Sequence, residues 1–287
     1  MSISFKNVSY EYAPNTPFAY GALKDVNVSI TSHKVTAIIG ATGSGKSTLV
    51  QHLNALLLPT VGEVKVLDRV IKANEKPKKL KELRKNVGLV FQFPEYQLFE
   101  ETVLKDVAFG PLNFGLSKEE AIEKAKVALD IVGLSEEYYE KSPLDMSGGQ
   151  KRRAAIAGIL AIDPDVLVLD EPTAGLDPQG SHAMMELFIQ LNKSNNKTIC
   201  LVTHDMEHVF NYCENVVVID KGQVIYSDSV ENFFNNEDML NSLTIELPKV
   251  IQFKRLLRKK GFTIDHTSKT LEEIIPQVVA QKGDKHE

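Results

Sequence analysis

Tryptophan is absent from the chain, and cysteine occurs only twice, at Cys200 and Cys213. Two such positions make neither a disulfide framework nor a metal-binding pair. Cys200 falls within the apolar run TICLVTH and reads as a small buried thiol, which fits a reducing, cytoplasmic setting. Long apolar runs are missing too. No stretch approaches the roughly 18 residues that a membrane-spanning helix needs, so any work at a membrane falls to partners. The opening MSISFKNVSYEY alternates like a strand and lacks the apolar block of a signal peptide. Nor is there a basic excess. Against 38 acidic residues stand 33 lysines and arginines, a net charge of −5, which excludes a global positive field for holding nucleic acid. No internal repeat or low-complexity tract stands out.

What remains is a 287-residue chain, 43% hydrophobic and 25% charged, enough for one large α/β domain with a small appendage. SISFKNVSYEY and ALKDVNVSI have the two-residue period of half-buried antiparallel strands. KVTAIIG, VGLVFQ, PDVLVLDE and KTICLVTH are short and almost wholly apolar, as in a parallel sheet covered on both faces. GEVKVLDRVI returns to strand, and NVVVIDKGQVIYSDS is a hairpin turning at Asp220, Lys221 and Gly222. A helix begins near Ser47 with Leu49, Leu53, Leu56 and Leu57 on one side, and KKLKELRKN is a charged helix. Residues 102–162 are mainly helical, with Ser117 and Glu120 as a capping box and Gly133 as a stop. From residue 246 to the end, ELPKVIQFKRLLRKKGF and LEEIIPQVVAQ form a helical extension to the main domain of residues 1–245.

One segment carries specific chemistry. Gly40, Ala41, Thr42, Gly43, Ser44, Gly45, Lys46 and Ser47 satisfy G-x-x-x-x-G-K-[ST] between an apolar strand and a helix, the setting that motif requires. Glycines let consecutive backbone N–H groups point at phosphate oxygens, and the helix N-terminus adds its dipole. Lys46 would neutralise the β and γ phosphates of ATP, the Ser47 hydroxyl would ligate Mg²⁺, and Thr48 can contact the α-phosphate. VLVLDE puts Asp170 and Glu171 at the end of a buried strand. Asp170 is expected to hold Mg²⁺, and Glu171 to polarise the water that attacks the γ-phosphate. His204 ends another apolar strand and is expected to reach the γ-phosphate and orient that water. Gln92 ends VGLVFQ and can serve both Mg²⁺ and the water. Tyr12 is a candidate to stack on adenine, with Tyr10 and Tyr20 as rivals and an exposed strand aromatic as the plainer alternative.

A second glycine pair, in DMSGGQKRRAAIAGILA, is unexplained by one phosphate loop. Ser147 offers a hydroxyl, and the N–H groups of Gly148 and Gly149 open a helix that can receive an anion. A flexible turn capping that helix is the alternative. Lys151, Arg152 and Arg153 are expected on its solvated face. The order of phosphate loop, Gln92, MSGGQ at 146–150, VLVLDEP, AGLD at 174–177 and His204 resembles the ATP-binding subunit of an ABC transporter across residues 3–246. That resemblance implies an ABC-type P-loop NTPase fold: a mixed sheet core, an antiparallel β subdomain, a helical subdomain over about 93–162, and the C-terminal extension. It also implies that Ser147, Gly148, Gly149, Gln150 and Asp177 act on the nucleotide of a second, facing ATPase. Met146 stands where the family usually has leucine, an apolar exchange of similar volume.

The wording VFQFPEYQLFEETVLKDVAFGPLNFG, with YAPNTPFAYGALKDV and GATGSGKSTLVQHLNALLLPT, is similar to the ATPases of energy-coupling factor transporters, and to the second of their two types. The resemblance implies ATP hydrolysis driving import of vitamins or other micronutrients. Its implied partners are a second, unlike ATPase, a transmembrane coupling subunit and a membrane substrate-capturing subunit, with no nucleic acid. The chain would lie peripherally on the cytoplasmic face of the cell membrane, its extension helping to hold the two ATPases together. Pro94, Tyr96, Leu98 and Phe99 are too apolar for an ordinary loop and are expected to grip a helix of the membrane subunit. A soluble ABC ATPase used as a nucleotide-operated switch is the competing reading; the full set of hydrolytic residues argues against it. The lysine-rich run KANEKPKKLKELRKN reads as solvated surface.

Overall fold

A computed structural model describes residues 3–265 and 267–283. The strand expected from Ser2 and the extension expected to reach Glu287 begin and end outside the described residues. Ten strands are found among the described residues: β1 (Ile3–Tyr12), β2 (Tyr20–Ile30), β3 (Val35–Ile39), β4 (Val61–Val66), β5 (Arg69–Lys72), β6 (Val87–Val90), β7 (Val166–Asp170), β8 (Thr198–Val202), β9 (Asn215–Asp220) and β10 (Gln223–Ser229). The apolar runs build a six-stranded sheet in the order β10-β9-β3-β8-β7-β6, parallel throughout except for the β9–β10 hairpin.

Alternation along these strands feeds two cores. Ala37, Ile39, Leu167, Leu169, Ile199 and Leu201 face a helical layer, while Ile38, Val166, Val168, Cys200 and Val202 face the opposite way. Burial on both faces is why these strands read as unbroken apolar runs. Cys200 is fully buried, which pushes its thiol up to about 12, and Cys213 is buried and raised likewise. Neither is a reactive thiol.

The other core lies between the main sheet and an antiparallel sheet ordered β2-β1-β4-β5, which contributes Phe5, Val8, Val26, Ile30 and Val64. GEVKVLDRVI is therefore two strands, β4 and β5, reversed at Leu67 with φ 56°. Helix α1 (Lys46–Gln51) is shorter than the leucine spacing predicts. Leu49 and Leu53 are buried, but Leu56 is 46% exposed. The chain leaves the helix because the Leu56 N–H is shared between the Gln51 carbonyl and Asn54 Oδ1, Ala55 adopts φ 53°, and Pro59 follows.

After α2 (Leu80–Asn86), the helical layer contains α3 (Val103–Asn113), α4 (Lys118–Ile131) and α5 (Gly148–Leu160). Ser117 and Glu120 form the expected capping box on α4, and Gly133 turns the chain away at φ 73°. Helices α6 (Pro178–Asn195) and α7 (Met206–Tyr212) flank β8 in sequence, and α8 (Val230–Asn235) and α9 (Glu237–Ser242) follow the hairpin. The tail is α10 (Lys249–Lys259) and α11 (Leu271–Gly283). Leu257, Ile264 and Ile274 make its own small core, with Val250 and Phe253 packed at the edge, while Leu256, Ile275 and Val279 remain exposed.

Candidate active site

Parallel pairing places the carboxyl ends of β3, β6, β7 and β8 side by side. Asp170 is in register with Val202, Leu169 with both Val90 and Leu201, and Ile38 with Val202. Every candidate strand-end residue therefore emerges at one edge of the sheet, the usual ligand-binding edge of such folds.

The phosphate loop leaves β3 and enters α1. Gly45 caps α1 at φ 106°, and a Cβ there would lie 2.7 Å from the Ala22 carbonyl oxygen; at Gly40 it would lie 2.1 Å from that of Ile219. The chain itself demands these glycines. Lys46 Nζ donates to the carbonyl oxygens of Gly40 and Ala41, each at 2.9 Å, so it is bent over its own loop. Burial lowers its pKa, opposed by the charges of Glu171 and Asp170. Ser44 Oγ is buried with no hydrogen-bond partner among the described residues. A buried unpaired hydroxyl and a partly desolvated ammonium both suit a phosphate, which offers acceptors and negative charge.

Asp170 is buried, and desolvation raises its pKa, offset first by a hydrogen bond from the Ser47 hydroxyl and then by Lys46. A hydroxyl and a carboxylate short of positive charge fit Mg²⁺, a hard cation with oxygen ligands. Glu171 follows at φ 50°, a left-handed conformation uncommon outside glycine; its N–H is bonded to the Val202 carbonyl at 3.0 Å. That turn aims its side chain at His204, whose Nδ1 lies 2.9 Å from Oε1 of Glu171. The two strand-end residues predicted to manage the water are thus in direct contact. Gln92 is exposed just beyond β6.

The tyrosines separate by position. Tyr12 OH lies 3.1 Å from Thr48 Oγ1, while Tyr20 lines the small pocket over Gly43, Gly45, Lys46, Ser47 and Thr48 and donates to the Gly43 carbonyl at 3.4 Å. Tyr10 instead packs edge-on against both Tyr12 and the buried His52, whose pKa burial lowers to about 4.

The second glycine pair behaves differently from the first. Ser147 caps α5: its Oγ accepts the Gln150 N–H at 3.3 Å, and Gln150 Oε1 accepts the Ser147 N–H at 2.9 Å. Added Cβ atoms on Gly148 or Gly149 would meet nothing within 4 Å. Neither the pocket over the phosphate loop nor the cleft of about 570 Å³ beside Glu171 and His204 is lined by Ser147, Gly148 or Gly149. Asp177 caps α6, its Oδ1 accepting the Gly180 N–H at 2.6 Å.

Arg152 overturns the expectation of a solvated face. It is 3% exposed and bonded to Glu95 and to the Ala174 carbonyl, because α5 turns this position inward under the loop after β6. The sequence reading also missed a bridge between α6 and α7: Ser181 Oγ lies 3.1 Å from His208 Nε2, and His182 Nδ1 2.6 Å from Tyr212 OH. Gly222 was identified only as a turn residue, yet its N–H donates to the Ser44 carbonyl and a Cβ there would strike Ala22.

A phosphate loop, a buried aspartate and a glutamate–histidine pair at one sheet edge define a P-loop nucleoside triphosphatase. The ABC transporter family matches residues 23–174. The energy-coupling factor transporter ATP-binding protein EcfA2 of Enterococcus faecalis is 51% identical over 97% of this chain and 96% of its own. Among solved structures, cbiO1 from Clostridium perfringens, part of the ABC transporter complex cbiONQ, is 37% identical, with a TM-score of 0.72 over 88% of this chain and 98% of that one. The ATP-binding cassette MJ0796, dimeric in a post-hydrolysis state bound to ADP and Pi, is 32% identical, with a TM-score of 0.70 over 79% and 98% of the two chains. The chain belongs to the ABC transporter family and, within it, to the energy-coupling factor transporter ATP-binding proteins. It is an ATPase; the reading as a non-transport switch is not favoured.

Proposed function

We propose that this chain powers an energy-coupling factor importer of vitamins or other micronutrients as one of two facing ATPases, the other an unlike homologue. Each ATP lies between one chain's phosphate loop and the other's Ser147 segment. The observation that carries this reading is the contrast between the two glycine pairs. Gly40 and Gly45 are required by their own chain, whereas Gly148 and Gly149 relieve no contact within it. They leave the helix N-terminus and the Ser147 hydroxyl open to an anion brought by another molecule.

Within this arrangement Lys46 and the loop N–H groups, from Gly40 through Ala41, Thr42, Gly43, Ser44 and Gly45, hold the β and γ phosphates. Thr48 contacts the α-phosphate, and Tyr12, held by Thr48, supports adenine. Ser47, Asp170 and Gln92 would hold Mg²⁺, which would supply neutralisation of phosphate charge. Glu171 takes the proton of the attacking water, and His204, bonded to Glu171, orients it. Gln150 and Asp177 complete the partner's site through the loops they cap.

No described helix is long and apolar enough to cross a membrane. In this reading the chain acts peripherally on the cytoplasmic face, through a transmembrane coupling subunit that also carries a substrate-capturing subunit. Tyr96 is 85% exposed and Phe99 63%, and Phe99 stacks edge-on against exposed Phe109 at 4.9 Å. Asp106 pins this surface by accepting the N–H groups of Phe99 and Glu100. An apolar cleft of about 320 Å³ opens beside Leu104, Phe109, Leu112 and Ile122. Such a surface suits a helix of the coupling subunit. Residues 1–245 form the ATPase domain, and 246–287 are the extension through which the two ATPases stay joined.

Purification from membranes tests the reading: the chain should emerge with a second ATPase and membrane subunits, and the complex should release phosphate from ATP. Recovery of the chain alone and free of membranes would overturn it. Replacing both Tyr96 and Phe99 with glutamate should preserve ATP binding by the isolated chain and abolish membrane assembly, scored by co-purification. Lys46→Ala should cut ATP binding or turnover by about 100-fold or more, read by nucleotide titration and phosphate release, with the chain remaining folded.

A further inference from the structure

Arg152 uses all three guanidinium nitrogens. Nε donates to Glu95 Oε2 at 3.1 Å, Nη2 to Glu95 Oε1 at 3.0 Å, and Nη1 to the Ala174 carbonyl at 2.6 Å. Its side chain is almost wholly buried and that of Glu95 nearly so. The guanidinium also lies 5.7 Å from the centre of the Phe93 ring. Each contact belongs to a different part of the machinery. Arg152 sits in the first turns of α5, which Ser147 caps. Glu95 lies in the 3₁₀ turn Pro94–Gln97, next to Gln92 and beneath exposed Tyr96. Ala174 opens the segment that leads to Asp177. Phe93 lies beside that segment, its ring 3.8 Å from where a Cβ on Gly175 would stand.

We propose that Arg152 is a positioning residue that locks the Ser147 helix, the Gln92 loop and the segment from Ala174 to Asp177 into one rigid body. A bidentate guanidinium–carboxylate pair fixes orientation as well as distance, and a buried pair resists exchange with water far better than an exposed one. A shift of α5 when Ser147 engages the partner's ATP therefore moves Glu95, and with it Gln92 and the Tyr96 surface. The same shift moves the Ala174 carbonyl and so the approach of Asp177. Lysine cannot replace arginine here, because one ammonium cannot serve a bidentate carboxylate and a carbonyl on the opposite side. The proposal rests on the reading that the Ser147 segment grips the partner's nucleotide.

The test uses the assembled transporter with ATP as the probe. Removing one partner alone strands a buried charge, so Glu95→Gln and Arg152→Gln are made together, and Arg152→Lys separately. The expected result in both is a fall in kcat of about 10- to 100-fold, the usual consequence of a misplaced catalytic group, with KM for ATP unchanged and a cooperative melting transition retained. Unchanged kcat in the double variant overturns the proposal, as does a fall in kcat accompanied by weaker ATP binding, which general damage to the fold produces. Ser147→Arg is run in parallel. If it stops hydrolysis while the double variant turns over normally, the coupling alone is wrong; if it leaves hydrolysis intact, the two-chain site is wrong and the coupling falls with it.

Discussion

Glu171→Gln should bring steady-state phosphate release down by about 10²- to 10⁴-fold, the range a positioned general base supplies, while ATP binding persists. Glutamine has the size of glutamate and can still accept from His204 at the 2.9 Å contact seen here, so the turn at φ 50° and the strand register are undisturbed. What it lacks is the capacity to take a proton. On the proposed reading it would also remove a negative charge beside the γ-phosphate, which favours the nucleotide-bound state. Both effects push the same way, and the variant should accumulate as an ATP-bound closed pair, visible as a larger species on size exclusion with MgATP. Normal turnover would remove Glu171 from its proposed role and shift attention to His204 as the group that handles the water.

The site was legible where its chemistry depends on local sequence. The phosphate loop could be read because strand, glycines and helix start are contiguous, and Asp170, Glu171 and His204 because parallel strands deliver their last residues to one edge. The capping box at Ser117 and the hairpin at Lys221 and Gly222 were readable for the same reason. Arg152 was not. It pairs with a glutamate 57 residues away, and nothing in KRRAAIAG distinguishes a buried arginine from the half-buried Lys151 and Arg153 on either side of it. The bridge from Ser181 to His208 is likewise a product of how α6 and α7 lie together. The end of α1 was misjudged because leucine spacing continued past it, while the residues that stop the helix, Asn54 and Ala55, act through a side-chain hydrogen bond and a left-handed turn that no periodicity records.

Ser147→Arg carries the second large effect, and it separates binding from hydrolysis. The isolated chain should bind ATP as before, since the pocket over its own phosphate loop is lined by Tyr20, Ala22, Gly43, Gly45, Lys46, Ser47 and Thr48. Loss of the Ser147 cap should cost α5 about 1 kcal/mol, a small destabilisation of a helix that is anchored by Arg152 at its other contacts. In the assembled pair the consequence is far greater. In the proposed two-chain site the bulky side chain would stand where the partner's γ-phosphate approaches Gly148 and Gly149, so the two faces could not close, and the partner's nucleotide would lose its hydroxyl and helix-terminus contacts together. Phosphate release at the site that uses this Ser147 should fall by about 100-fold or more, as expected when reacting groups are held out of reach. A simple loss of helix stability would instead lower the ATP affinity of the isolated chain. Ser147→Ala, which removes cap and hydroxyl without adding bulk, should lose a similar amount of stability with a smaller loss of turnover. An equal loss of turnover in the two variants would mean that residues 147–150 serve only their own helix.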